Sequence, residues 1–224
     1  MKTLVKMLSV LIILLPTLLH AEGNTNFDAV FGGNQTDFVQ QAGSAKLSWD
    51  ATPHYRARFL LGRSLDKSDV FRTDGTASLD RFDTRRLNAS WLNDIDLGND
   101  MLVTAGVDYL DDKVDGTVQY DESSRDNVGV FAQFQRRQKR VDLDAGARVD
   151  DNQQFGNVTT GNLGVGYGLT NNLRLVGSYG TAFKAPTFND LYFPGFSNPN
   201  LKPEKSASWA AWPPRASEKG ASGS

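Results

Sequence analysis

The sequence predicts an all-β fold, an antiparallel transmembrane β-barrel, on three observations. From about residue 43 onward it reads as short segments in which apolar and polar residues alternate, the period of a strand with two unlike faces. The connections alternate in length, short at 51–54, 93–100, 137–139 and 170–172 and long at 65–83, 111–126, 150–159 and 183–206. Short turns at one end and long loops at the other are the barrel arrangement. Third, the chain opens like an exported protein. Lys2 and Lys6 precede an apolar run from Met7 to Leu19, and the small residues Ala21 and Gly23 follow. That is a secretory signal peptide, too short to span a bilayer as a helix; cleavage after Ala21 and after Gly23 both remain open.

The first strand is expected over 45–50, with Ala45, Leu47 and Trp49 on one face. After a break at Pro53, 55–64 sets Tyr55, Ala57, Phe59 and Leu61 against Arg56 and Arg58. A weaker segment covers 84–92, and 101–110 aligns Met101, Val103, Ala105, Val107 and Tyr109. In 127–136, Val128, Val130, Ala132 and Phe134 oppose Gly129, Phe131, Gln133 and Gln135. The clearest segment is 140–149, with Val141, Leu143, Ala145, Ala147 and Val149 against Asp142, Asp144, Gly146 and Arg148. The last two pair Leu163, Val165, Tyr167 and Leu169 with a glycine-rich face, and Leu173, Leu175, Gly177 and Tyr179 with Arg174, Val176 and Ser178. One face is charged or glycine-rich and the other aliphatic or aromatic, which suits a lipid-facing wall around a wet interior. Trp49, Tyr55 and Trp91 are placed beside short turns, at the level of an interfacial aromatic girdle.

Composition excludes several classes. A net charge of −2 leaves no electrostatic footprint for nucleic acid. The absence of cysteine removes disulfides and thiolate metal sites. No catalytic residues are expected: His20 lies in the leader and His54 in a turn, and no nucleophile or phosphate-binding motif is present. Gly164, Gly166 and Gly168 form a small-residue stripe along a strand rather than a dinucleotide fingerprint. The stretch 183–206 differs from a polar linker. Pro186, Pro194, Pro199 and Pro203 forbid a continuous strand or helix, while Phe183, Phe188, Tyr192, Phe193 and Phe196 mark a loop that packs on something.

The strings FDTRRLNASW (82–91), GVDYL (106–110), SRDNVGVFAQFQ (124–135), RVDDNQQFG (148–156), TTGNLGVGYGLT (159–170) and LVGSYGTAFKAPTFNDLYFPGFSNPNLKPEKS (175–206) resemble the barrel of the TonB-dependent outer-membrane receptors. Within that family the likeness leans toward the vitamin B12 (cobalamin) receptor branch. The resemblance implies about eight strands of a larger 22-stranded barrel, placed after Sec-type export in the outer membrane of a Gram-negative bacterium. It implies as partners outer-membrane lipid, a large scarce ligand (cobalamin or a ferric siderophore) and the TonB system. It implies transport, not an enzymatic reaction.

Intact members of the family carry a plug domain and a TonB-binding segment, and neither is visible here. The expected organisation is a signal peptide (1–23), a polar segment (24–42), a partial barrel (43–209) and an off-pattern, disordered tail (210–224). Pro213 and Pro214 are expected to end the last strand, and the whole is read as a truncated fragment. No resident cofactor is expected, calcium excepted: the resemblance points to extracellular-loop acids, here Asp111, Asp112, Asp115, Asp121, Glu122 and Asp126 with Asp83, although their spacing is not that of an EF-hand. No metal-ligand set is assigned. Two other readings stay open, a siderophore receptor fragment and a secreted soluble β-sandwich binding module.

Overall fold

The computed structural model describes residues 8–11, 19–25, 34–72, 79–170 and 173–216. Nine long strands follow one another as an antiparallel meander: β3 (Asn34–Thr52), β4 (Tyr55–Arg72), β5 (Leu79–Gly98), β6 (Met101–Gly116), β7 (Ser124–Arg137), β8 (Val141–Asn152), β9 (Gly156–Thr170), β10 (Leu173–Lys184) and β11 (Glu204–Ala216). Each pairs with its sequence neighbours, as expected where connections are short and antiparallel. Two short strands, β1 (Leu8–Leu11) and β2 (Leu19–Thr25), pair with β3 along its outer edge. They fall within or across the expected leader, 1–23.

Among the described residues the sheet is a single layer that does not close on itself. Among the described residues its buried hydrophobics are few: Ala57, Val114, Val158 and Leu191. A layer without a facing sheet has no core to fill. Its apolar side chains form an outer band instead, seen in Phe59, Leu61, Trp91, Val107, Val130, Val149, Leu163 and Val165, all exposed. Register keeps this face coherent, since Phe59, Trp91, Val107, Val130 and Val149 lie opposite one another across five strands. On β5 the band runs from Leu97 to Leu87, eleven residues in all, matching the ~9–11 residues a strand needs to cross a bilayer.

The strands are longer than the alternation predicts. β4 and β5 continue pairing through Phe71 and Leu79, inside the expected loop 65–83. β6 reaches Gly116 and β7 begins at Ser124, so the loop expected at 111–126 shortens to 117–123. The connection expected over 150–159 shrinks to 153–155. Above the apolar band both faces of the sheet are polar, so alternation vanishes while backbone pairing persists. The break expected at 93–100 is likewise mostly strand. Its turn is Asn99–Asp100, with positive φ at Gly98, Asn99 and Asp100, a conformation that glycine, asparagine and aspartate tolerate best. Trp91 therefore sits mid-band, stacked on Phe59 at 6.0 Å between ring centres, and not beside a turn. Tyr55 does flank one, and its hydroxyl donates to Asn93 Oδ1 at 2.6 Å. In the turn expected at 170–172, Asn171 and Asn172 lie outside the described residues.

The last strand also outruns expectation. β11 extends past Pro213 and Pro214 to Ala216. Its register against β10 shifts between Arg174 and Val176, opposite Arg215 and Trp212 respectively. The two prolines thus occupy a bulge on an edge strand, where a missing N–H costs no ladder bond.

Candidate functional site

The polar face carries a ladder of charges and amides across the strands. Arg58 meets Asp94 at 2.8 Å, and Thr104 donates to the same carboxylate at 2.8 Å. Arg148 bridges Asp108 at 2.5 Å and Asp150 at 2.7 Å, with its guanidinium 5.8 Å from the Phe131 ring centre. Gly129 makes room for this arginine, because a Cβ there would collide with Arg148 Nη2. Asp144 accepts from Gln133, Gln135 and Asn162 at 2.8, 2.9 and 2.6 Å. Arg174 pairs with Asp142. These groups pair along the wall, although Arg58 Nε stays buried without a partner, so the polar face is structured but not apolar, as the lining of a water-filled passage must be.

At the long-loop end the aromatic stretch folds back over this face. It forms one short helix, α1 (Phe188–Tyr192), between Pro186 and Pro194. A capping box starts it: Asp190 N–H donates to Thr187 Oγ1 at 3.2 Å, and Thr187 N–H to Asp190 Oδ2 at 2.9 Å. The Thr187 hydroxyl and backbone N–H hold the Asp190 carboxyl below the usual carboxylate range. Leu191 is 1% exposed and anchors the turn from beneath. Asn198 N–H returns to Asp190 O at 2.9 Å, closing the loop on itself.

Arg125 is the post on which the loop rests. From the polar face of β7 it donates to Pro186 O at 3.0 Å and to Gln154 Oε1 at 3.3 Å. Its guanidinium lies 5.1 Å from the Phe188 ring centre and 6.0 Å from that of Phe155. Gln154 in turn donates to the Tyr192 hydroxyl at 2.5 Å. From the 117–123 loop, the Tyr120 hydroxyl donates to Asn189 Oδ1 at 2.6 Å while its ring packs edge-on against Phe193. Burial pushes the Tyr120 phenol up, so it stays protonated and able to donate. Three loops that are remote in sequence are thereby joined into one rim.

Beneath the rim lies a cavity of about 410 Å³, lined by Asp66, Phe82, Arg86, Asp112, Arg125 and Phe188 among others. Arg86 grips Asp112 through two bonds, 2.6 and 2.9 Å. Aromatic faces beside paired charges suit a large polar ligand. None of Arg86, Arg125, Tyr120 or Gln154 stood out by sequence. The available signal was parity: Arg86, Asp112 and Arg125 share the polar face that the lower wall residues define.

The candidate calcium acids are not brought together. Among the described residues no three acidic or histidine side chains gather as a metal site. Asp111 pairs with Lys113 at 3.4 Å and Asp112 with Arg86, both on β6 and not in a loop. Asp115 accepts from Gly116 N–H. Asp83 lies on β5 with a buried, unpartnered Oδ1, opposite Asp115 in register. His54 stands in the turn after β3, 3.7 Å from Asp96, far along the wall from the rim.

A one-layer antiparallel wall, apolar outside and charged within, with packed loops over one end, defines a β-barrel receptor wall. Residues 16–211 match the family described as TonB dependent receptor-like, beta-barrel, and the chain belongs to that family, which is one of receptors and transporters, not enzymes. It is 31% identical over 195 residues to the vitamin B12 transporter BtuB of Photobacterium profundum, covering 85% of this chain and 31% of that protein. It is 33% identical over 186 residues to BtuB of Vibrio vulnificus, covering 81% and 30%. The chain therefore spans about a third of the length of these relatives. Among solved structures it is similar in fold to the ferric enterobactin receptor PfeA of Pseudomonas aeruginosa (TM-score 0.59, 16% identity, 85% of this chain and 42% of that one). It is also similar to the copper transporter OprC (TM-score 0.63, 16% identity, 81% and 36%).

Proposed function

We propose that this chain supplies part of the wall and capture rim of an outer-membrane receptor that takes up cobalamin in a Gram-negative bacterium. The observation that carries the reading is the 31–33% identity to vitamin B12 transporters over most of the chain; the rim cavity gives that likeness a place to act. In this reading a leader over 1–23 directs Sec-type export. Its removal takes β1 and most of β2 from the edge of β3. Both edges of the sheet then need further strands, because unpaired backbone groups are intolerable in lipid. The long-loop end faces outward and holds ligand against Arg86, Arg125 and Phe188. Energy for release comes through a plug and the TonB system, supplied by polypeptide beyond this wall.

A siderophore is the second reading, favoured by the cations on the inner face of the cavity, Arg86 and Arg125, which suit an anionic chelate. Competition binding separates the two. On outer membranes from cells producing the chain, labelled cobalamin is expected to bind and to be displaced by unlabelled cobalamin, not by ferric siderophores. Displacement by a ferric siderophore alone transfers the assignment to the second reading, and absence of binding by either ligand refutes both for this chain.

A further inference from the structure

The string RVDDNQQFG (148–156) runs from the end of β8 through the turn 153–155 into β9. No residue of 152–156 lines the rim cavity, yet the turn is built to hold one position. Asn152, 5% exposed, accepts from the Gln154 and Phe155 N–H groups at 3.1 and 3.2 Å. Gly156 closes the turn at a φ of 67°, a conformation that favours glycine. Gln153 locks the turn to β7: its N–H donates to Asp126 O at 3.1 Å, and its Oε1 accepts from Asp126 N–H at 3.0 Å. The residue before Asp126 is Arg125.

Two side chains leave this fixed turn toward the rim. Gln154 accepts from Arg125 Nη1 at 3.3 Å and donates to the Tyr192 hydroxyl at 2.5 Å, so one amide meets both the arginine and the last residue of α1. Among the described residues Arg125 has no carboxylate within 4.0 Å, and Gln154 is the one side chain that hydrogen-bonds its guanidinium; its other acceptor is the backbone oxygen of Pro186. The Phe155 ring lies 6.0 Å from that guanidinium and edge-on to Phe183 at 6.5 Å, where the loop begins. On its other side the turn is continuous with the wall. Asn152 donates to Asn127 Oδ1 at 3.2 Å, and Asn127 donates at 2.7 Å to Asp150, the carboxylate that Arg148 also holds.

We propose that Gln154 is a positioning residue for ligand capture, through which the turn 153–155 and the loop 185–203 open and close as one unit. It touches no ligand; it aims the Arg125 guanidinium and ties Tyr192 to the same turn. Ligand held against Arg125 and Phe188 therefore stabilises a turn that it does not reach, because coupling between two sites is reciprocal. The inference rests on the capture reading given above, but its first measurement needs no ligand.

The test is amide exchange of the full chain folded in vesicles, with and without cobalamin. Gln154→Ala is expected to speed exchange at Leu191 and Phe193 about tenfold, the loss of one charged hydrogen bond, while the paired strands β8 and β9 stay protected. Gln154→Glu keeps one oxygen for Arg125 and another for the Tyr192 hydroxyl, and should stay within about twofold of wild type. Gln154→Ala and Tyr192→Phe together should cost less than the product of their separate effects, because they share a bond. Saturating cobalamin should slow exchange at Leu191 and Phe155 in wild type; in Gln154→Ala it should slow Leu191 and leave Phe155 unchanged. The proposal is overturned by loop amides that exchange equally in Gln154→Ala and wild type, by faster exchange throughout β8 and β9 in that variant, by a glutamate that does not restore protection, or by a Phe155 amide that cobalamin still slows in Gln154→Ala. Cobalamin that slows no amide of wild type refutes the cobalamin reading, and the ligand-free exchange alone then decides the role of Gln154.

Discussion

Arg125→Ala is expected to release the loop 185–203 from the rim. The arginine makes a charged hydrogen bond to Pro186 O, a class of bond contributing about 1.5–3 kcal/mol. Its place over Phe188 adds about 0.5–1 kcal/mol. The loss is about 3 kcal/mol, which corresponds to roughly a hundredfold in the local opening equilibrium. Amide exchange reads it directly. Leu191 N–H and Phe193 N–H bond to Thr187 O and Asn189 O at 3.2 and 3.3 Å, and both should exchange about a hundredfold faster. Arg81→Ala removes only an exposed pair with Asp69, a class of contact that contributes little, and should leave these amides unchanged. Arg125→Lys should recover only part of the effect. An ammonium lacks the planar group that reaches Pro186 O and Gln154 Oε1 through Nη1 while stacking on the rings. Ligand affinity is expected to fall with loop order, because an ordered rim avoids the entropy of closing on the ligand.

The second large effect belongs to the outer band. Val130 is 55% exposed and sits between Val107 and Val149, at the middle of the apolar stripe. Val130→Arg should destabilise the sheet in bilayers by about 2–4 kcal/mol. Gln133→Arg, three residues away on the polar face beside Asp144, should cost less than about 1 kcal/mol. Urea titration of the chain folded in vesicles measures both. A soluble sandwich would share this ranking, since its apolar face would be a core; what it would lack is the need for a bilayer in order to fold.

What could be read in the residues, and what could not, follows the solvent. Within the band, lipid on one side and water on the other impose a period of two, and segments such as 140–149 reproduce it. Above the band, water wets both faces, so Asp66, Lys67 and Ser68 carry no pattern although they pair with Thr84, Asp83 and Phe82. The acids of 111–126 looked like loop residues for the same reason, and their partners, Arg86 and Lys113, were hidden by the lost register. The aromatic loop was legible as a packing element because its rings have no reason to stay in water. Its anchor was not, since Arg125 looks like any polar residue at the start of a strand. The prolines at 213–214 signalled a stop that a bulge on the edge strand absorbs.

Alternate residues of one strand face lipid and water. The chain contains no cysteine, so single cysteines along β7 report it without background. With the chain folded in vesicles, spin labels at Val128, Val130, Ala132 and Phe134 should relax fastest with oxygen, which concentrates in the bilayer. Labels at Gly129, Phe131, Gln133 and Gln135 should respond to a water-soluble paramagnetic reagent. This two-residue alternation is expected through at least 128–135. Equal access of the water-soluble reagent to both sets, or a pattern without alternation, would contradict it.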